Sequence, residues 1–352
     1  MIRMTVITII AVATALLVAL AARYWYVPFL RKPEKIDLGK MGLIVNTQKH
    51  QERVRDILTA FYGGFNAMLV CKEGDDVRRE CDRFSRLLRP FAYEGAAMGY
   101  CVKSLFKPRH RLKDFERVMQ SINESYFFMY YIGVGFGCAM LYRFWPARVK
   151  RMVNELDSYY RELCYDGFGF KMGMFNYLKN PGVVKEFSHF DGYARHACYQ
   201  GFGRSLWFLY MNAPWLIEEH VARLDESYRG DCYSGLGLAV TFTNMDRPRV
   251  SFDFADTIPG RYRSDYFLGM MLAFYTRRMN DSEFFEGSLA RLEPWQRDVA
   301  ISGLEICDSR FDYVDAGVSE NHYKHWREGI TEDLRALLSA YESETVRLGE
   351  LL

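Results

Sequence analysis

The chain has 352 residues, enough to bury a sizeable core as one elongated or two compact domains. With 46 Lys and Arg against 44 Asp and Glu its formal charge is +2, so nucleic acid is not an expected partner. Aromatic residues make up 16%, so rings either fill the core or surround an apolar ligand.

Residues 4–22, MTVITIIAVATALLVALAA, carry no charge and lead into Tyr24, Trp25 and Tyr26, an aromatic belt suited to the headgroup layer. They are read as a single-pass membrane anchor, giving an anchor and linker over 1–35 and an α-helical repeat domain over 36–352. Arg23, Arg31, Lys32 and Lys35 follow the segment and place the main domain on the cytoplasmic side of an inner membrane. The competing reading is a cleavable signal peptide, since Ala19-Leu20-Ala21 has the small-residue pattern of a cleavage site and would export the chain.

Beyond the linker a repeat governs the sequence. Gly133, Gly167, Gly201, Gly235, Gly269 and Gly303 follow one another at intervals of 34 residues, and Gly95 extends the series upstream across a four-residue insertion. Tyr or Phe stands two before most of these glycines, and Arg89, Arg161, Arg195, Arg229, Arg263 and Arg297 stand six before. Pro108, Pro146, Pro181, Pro214 and Pro248 fall thirteen or fourteen residues after, where a second helix starts. The pattern predicts an all-α right-handed solenoid of about seven 34-residue helical hairpins over 55–320, packed like tetratricopeptide repeats and closed by a helix near 330–348.

Within each unit the glycines fit close helix packing better than phosphate binding, because no strand precedes them. A stripe of small residues four positions on, including Gly99, Gly137, Ser205, Ala239 and Ala273, supports this, with Lys171 the large exception. The arginines are expected to stack on the rings four residues later; an anion-binding row is the alternative. Cys164, Cys198 and Cys232 share one column and read as small core residues, while Cys71 and Cys81 have the option of a bridge in an oxidising compartment.

The blocks FYGGFNAML (61–69), FAYEGAAMGY (91–100), YIGVGFG (131–137), YDGFGF (165–170), QGFGRSLWF (200–208), YSGLGLAVTF (233–242) and HWREGI (325–330) resemble the signatures of an uncharacterised bacterial domain-of-unknown-function family known as enediyne biosynthesis proteins. The resemblance spans roughly 40–335, and members generally lack an anchor helix. It implies a biosynthetic context and no catalytic residues.

The residue before each repeat glycine changes character along the chain, from Glu94 through Ile132, Asp166, Gln200, Ser234 and Leu268 to Ser302. Projecting to one side, this column is expected to line a concave face with Lys171, Arg204 and Trp207. Two functions follow. One is an accessory protein that holds an apolar small molecule or a pathway enzyme there through Gln200, Arg204, Trp207 and Ser234. The other is an enzyme using Glu94 or Asp166 as acid or base, with Lys171 or Arg204 on the developing negative charge. His322 and His325 form an i, i+3 pair, which is too few ligands for a metal site, and no motif calls for a cofactor.

Overall fold

The computed structural model describes Thr14 and residues 24–43, 47–106, 112–211, 213–317 and 321–349. Apart from Thr14, the expected anchor at 4–22 lies outside the described residues. Every described secondary-structure element is helical. The α-helices are α1 (Gln48–Val70), α2 (Gly74–Asp82), α3 (Arg89–Phe106), α4 (Phe115–Asn123), α5 (Phe127–Tyr142), α6 (Pro146–Asn154), α7 (Leu163–Met172), α8 (Tyr193–Tyr210), α9 (Pro214–Ala222), α10 (Arg229–Thr243), α11 (Arg249–Ala255), α12 (Arg263–Asn280), α13 (Ser282–Leu289), α14 (Pro294–Gly317) and α15 (His322–Gly349). One described stretch, Leu112–Tyr142, is long and apolar enough to cross a membrane, and it is mostly buried inside the fold as α4 and α5.

The long helices that carry the repeat glycines pack one against the next in the order α1, α3, α5, α7, α8, α10, α12. Neighbours run parallel, because contact positions advance together: Gly95 of α3 faces Phe61 of α1, and Gly99 faces Phe65. The glycines permit this closeness. A Cβ on Gly133, Gly167, Gly201, Gly235 or Gly269 would overlap the carbonyl oxygen of Glu94, Ile132, Asp166, Gln200 or Ser234 on the preceding long helix. The second glycine of each Gly-x-Gly does the same on the opposite flank, with Gly135, Gly169 and Gly203 against the carbonyls of Cys164, Cys198 and Cys232. Backbone therefore lies on backbone along both flanks, a geometry open to Cα–H···O contacts and closed to any side chain.

The repeated arginines do something other than the expected stacking. Arg195 donates to the Phe190 and Ser188 carbonyls at 3.0 and 2.9 Å, and Arg229 to Leu224 and Ala222 at 3.0 Å each. Arg297 likewise reaches Leu289 and Ala290. Each thus satisfies carbonyls at or just beyond the end of the preceding short helix, where a cation is favoured. The repeated tyrosines stack instead on a ring of the next unit: Tyr93 on Tyr126 at 4.0 Å, Tyr199 on Tyr228 at 4.3 Å and Tyr233 on Tyr262 at 4.7 Å. The abundant rings are core.

The unit around Gly167 departs from the rest. Its long helix α7 ends at Met172 and passes into a π turn, Gly173–Tyr177, and the segment after Pro181 is 3₁₀ rather than α. Gly173, at the head of the π turn, meets Ser205 of the following helix α8, whereas Gly99 and Gly137 of the stripe meet the helix before them, so Lys171 keeps the stripe's column as its large exception. All eight cysteines are free thiols, so Cys71 and Cys81 are not bridged.

The array curls until its later helices meet its first. Arg277 of α12 donates to the Leu87 carbonyl at 3.0 Å and to the Phe242 carbonyl at 2.5 Å, and Asn280 reaches Ser125 at 2.6 Å. Arg53 of α1 pairs with Asp246 at 2.7 Å. Helix α15, which starts at His322 rather than near 330, packs into the enclosed space through Tyr323, Trp326 and Ile330. The concave face expected from the repeat is therefore filled and not exposed.

Candidate functional site

Helical spacing sets the site. Tyr193, His196, Gln200 and Arg204 fall along one face of α8 at steps of three and four, and Asp231 and Ser234 do so on α10. Helix α15 brings Tyr323 and Arg327, one turn apart, against both.

At the inner end Arg204, 4% exposed, donates to Asp166 of α7 in an ion pair sealed from solvent. Glu94 of α3 is the second acid within the field of Arg204. Burial pushes the Glu94 carboxyl up to about 7, with Arg204 pulling it down and Asp166 pushing it further up. Burial also raises Asp166, against the pull of Arg204. Two small voids flank the guanidinium, about 30 Å³ bounded by Phe128, Leu238 and Trp326 and about 20 Å³ bounded by Phe61, Glu94 and Phe170. Each has room for about one water and none for a substrate.

Further along the seam the Gln200 side chain donates to the Tyr323 hydroxyl at 3.4 Å and lies beside Asp166. Arg327, 4% exposed, then donates to the Tyr193 hydroxyl and to the Ser234 hydroxyl at 3.0 Å, and stands 4.0 Å from Asp231. Here the seam opens into a cleft of about 440 Å³ between the amino ends of α8, α10 and α12 and the flank of α15. His196 holds Asp231 at 2.7 Å on its wall. Asp265 of α12 faces it, its carboxyl pushed up to about 6 by burial, an effect Arg335 opposes and Asp231 reinforces. Lys324, Glu328 and Thr331 of α15 complete the rim.

A match to a family model runs over residues 27–334, most of the chain, and its description is a protein of unknown function, DUF1702. The chain belongs to the DUF1702 family. The expectation of an uncharacterised family, drawn from the signature blocks, is met by this match. No curated protein and no solved structure matches the chain.

In this DUF1702 protein Glu94, Asp166, Gln200 and Arg204 converge in the sealed part of the seam, and Ser234 lies where it opens. Two expected site residues lie elsewhere. Trp207 is buried, donating to the Thr243 hydroxyl at 2.9 Å and packing on Phe254. Lys171 faces the π turn, where its amine donates to Asn176 at 2.9 Å and burial lowers it to about 8. The two histidines of α15 part company: His322 is fully buried against Tyr159 and Phe311, while His325 is 42% exposed beside Glu328. Sequence reasoning missed His196, Asp231, Asp265 and Arg327. A signal existed for two of them, since Asp231 and Asp265 stand four before a repeat glycine, a column held elsewhere by Phe91, Met129, Leu163, Ala197 and Val299.

Proposed function

We propose that the chain is a membrane-tethered accessory protein of a bacterial biosynthetic pathway, of the enediyne- or polyene-forming kind its signature blocks resemble. Its ligand, a small molecule or an extended group of a partner enzyme, is received at the cleft between α8, α10, α12 and α15. The fold that serves this role is a solenoid of about seven hairpins, with tetratricopeptide-like packing, curled until its concave face became an interior. The observation that carries the reading is the seam itself, an open cleft continuing inward as a line of polar groups that core packing does not need. The cleft lining is mixed in charge and rich in hydroxyls, so the ligand presents hydrogen-bonding groups there, whatever the character of the rest of it.

The His196–Asp231 pair beside Asp265 favours a second reading, acid–base chemistry. In that case the reacting groups are the cleft pair and Asp265, because Glu94 and Asp166 have no space beside them for a substrate.

Native mass spectrometry of the full chain purified from its own cells tests the proposal. A bound small molecule is expected on the wild type and absent from the variant His196→Gln/Asp265→Asn at an unchanged melting temperature. Retention by the double variant, or a bare wild type, contradicts the small-ligand form.

A further inference from the structure

Of the described large apolar side chains that face solvent, Trp215, Met279, Trp295 and Ile301 are scattered over α9, α12 and α14, while another group lies at one end of α3 and α5. Leu105 and Phe106 end α3, Phe144 and Trp145 follow α5, and Tyr24 and Val27 belong to the segment after the amino-terminal apolar stretch. Phe144 is 71% exposed and Trp145 61%, values that a packed core residue does not show. A groove of about 660 Å³ runs beside them, lined by Tyr142, Pro146, Arg148 and Arg151.

The segment 24–43 is fastened across the same helix ends. Trp25 and Phe29 pack on Phe106 at 5.0 and 5.3 Å, the Arg31 amide donates to Asn66 of α1 at 2.9 Å, and the Arg31 guanidinium reaches Met140 of α5. Leu38 and Leu43 are buried. The uncharged residues 4–22 therefore lead directly to this face. Charge points the same way: of the four cations in RFWPARVKR, 143–151, Arg143 and Lys150 pair with Glu186 and Asp191, and Arg148 and Arg151 are exposed beside the rings. Exposed Lys32 and Lys35 add to them from the fastened segment.

We propose that the carboxyl ends of α3 and α5, with residues 24–35, form a membrane-docking face that engages anionic phospholipid. Phe144 and Trp145 enter the boundary between headgroups and acyl chains, and Arg148 and Arg151 meet lipid phosphates. The domain is thereby held against the bilayer in one orientation instead of swinging on its linker. The proposal rests on the tether reading for the presence of a bilayer.

The test reconstitutes the full chain with vesicles of phosphatidylcholine alone, or with phosphatidylglycerol added, whose acyl chains are brominated near the headgroup. Phosphatidylglycerol is expected to increase quenching of tryptophan fluorescence, Trp145→Phe to remove about half of that increase, and Arg148→Glu/Arg151→Glu to weaken the lipid dependence about tenfold. These side chains are exposed, so thermal unfolding should not change. Flotation with both vesicle types while the variants quench like wild type keeps the tether and overturns the docking face. Flotation with phosphatidylglycerol vesicles only, reversed by salt, keeps the face and overturns the tether. A dimer in detergent that Trp145→Phe splits makes the patch a self-interface and overturns the lipid assignment.

Discussion

Two surfaces of the same long helices obey opposite rules. Along the flanks the repeat is enforced from Gly95 to Gly269, because each of these glycines receives a carbonyl from its neighbour and has no space for a methyl group, and it relaxes at Gly303, which meets the flexible Met271 side chain. On the inner face the repeat is broken at nearly every unit, from Glu94 through Asp166 and Gln200 to Ser234. The residues involved are the same ones. Glu94, Asp166, Gln200 and Ser234 supply the carbonyl against which the next glycine packs, while their side chains point into the interior. Main chain builds the fold at these positions, so the side chain is free to carry something else.

The largest expected effect breaks the flank rule. Gly201→Leu drives a side chain into the Asp166 carbonyl, and the loss of about 3 kcal/mol or more should leave little folded protein. A melting temperature close to wild type would show that the helices separate cheaply. On the inner face, Arg204→Met strands Asp166 and Glu94 without their cation, and unfolding of the full chain should cost about 3–5 kcal/mol less. Adding Glu94→Gln and Asp166→Asn to Arg204→Met should recover much of that loss, and no recovery would mean the arginine serves packing alone.

A third effect is pH dependence. Glu94 keeps its proton longer folded than unfolded, with a folded pKa of about 7 against an ordinary 4.5. Its contribution is full below about pH 4.5 and is lost as pH rises to about 7, by about 3 kcal/mol, and Asp265 adds a smaller loss of the same sign up to about 6. Denaturant unfolding across pH 4.5–8 should show this decline in wild type and a shallower one in Glu94→Gln; equal slopes would contradict it. The smallest effect belongs to the ladder of carbonyl-bound arginines. Arg229→Gln should cost about 1 kcal/mol, and one much larger would assign the side chain a further role.

The sequence made the flanks legible and much of the interior illegible, for a physical reason. Contacts between successive units recur with the 34-residue period, so the glycines, prolines and long helices could be read from spacing. The curl that brings Arg277 to Leu87 and Asn280 to Ser125 joins helices far apart in the chain, and no period records it. Nor does any period place Tyr323 and Arg327, which belong to a helix outside the repeat and close the face that was expected to stay open. Lys171 shows the converse error. It broke the repeat and was read as part of the site, yet its amine is tied to Asn176 of the adjoining π turn and away from the seam.

Flank and inner face are separable on one helix, and α10 offers the pair of residues that tests this. Gly235 packs on the Gln200 carbonyl, and four residues earlier Asp231 holds His196 in the cleft. Metabolite profiles of a deletion strain complemented with each variant, measured beside melting temperatures of the purified chains, give the comparison. Gly235→Leu is expected to fail to accumulate as folded protein, whereas Asp231→Asn is expected to melt within a few degrees of wild type and still leave the deletion profile unrestored. An Asp231→Asn chain that restores the wild-type profile in full would contradict it.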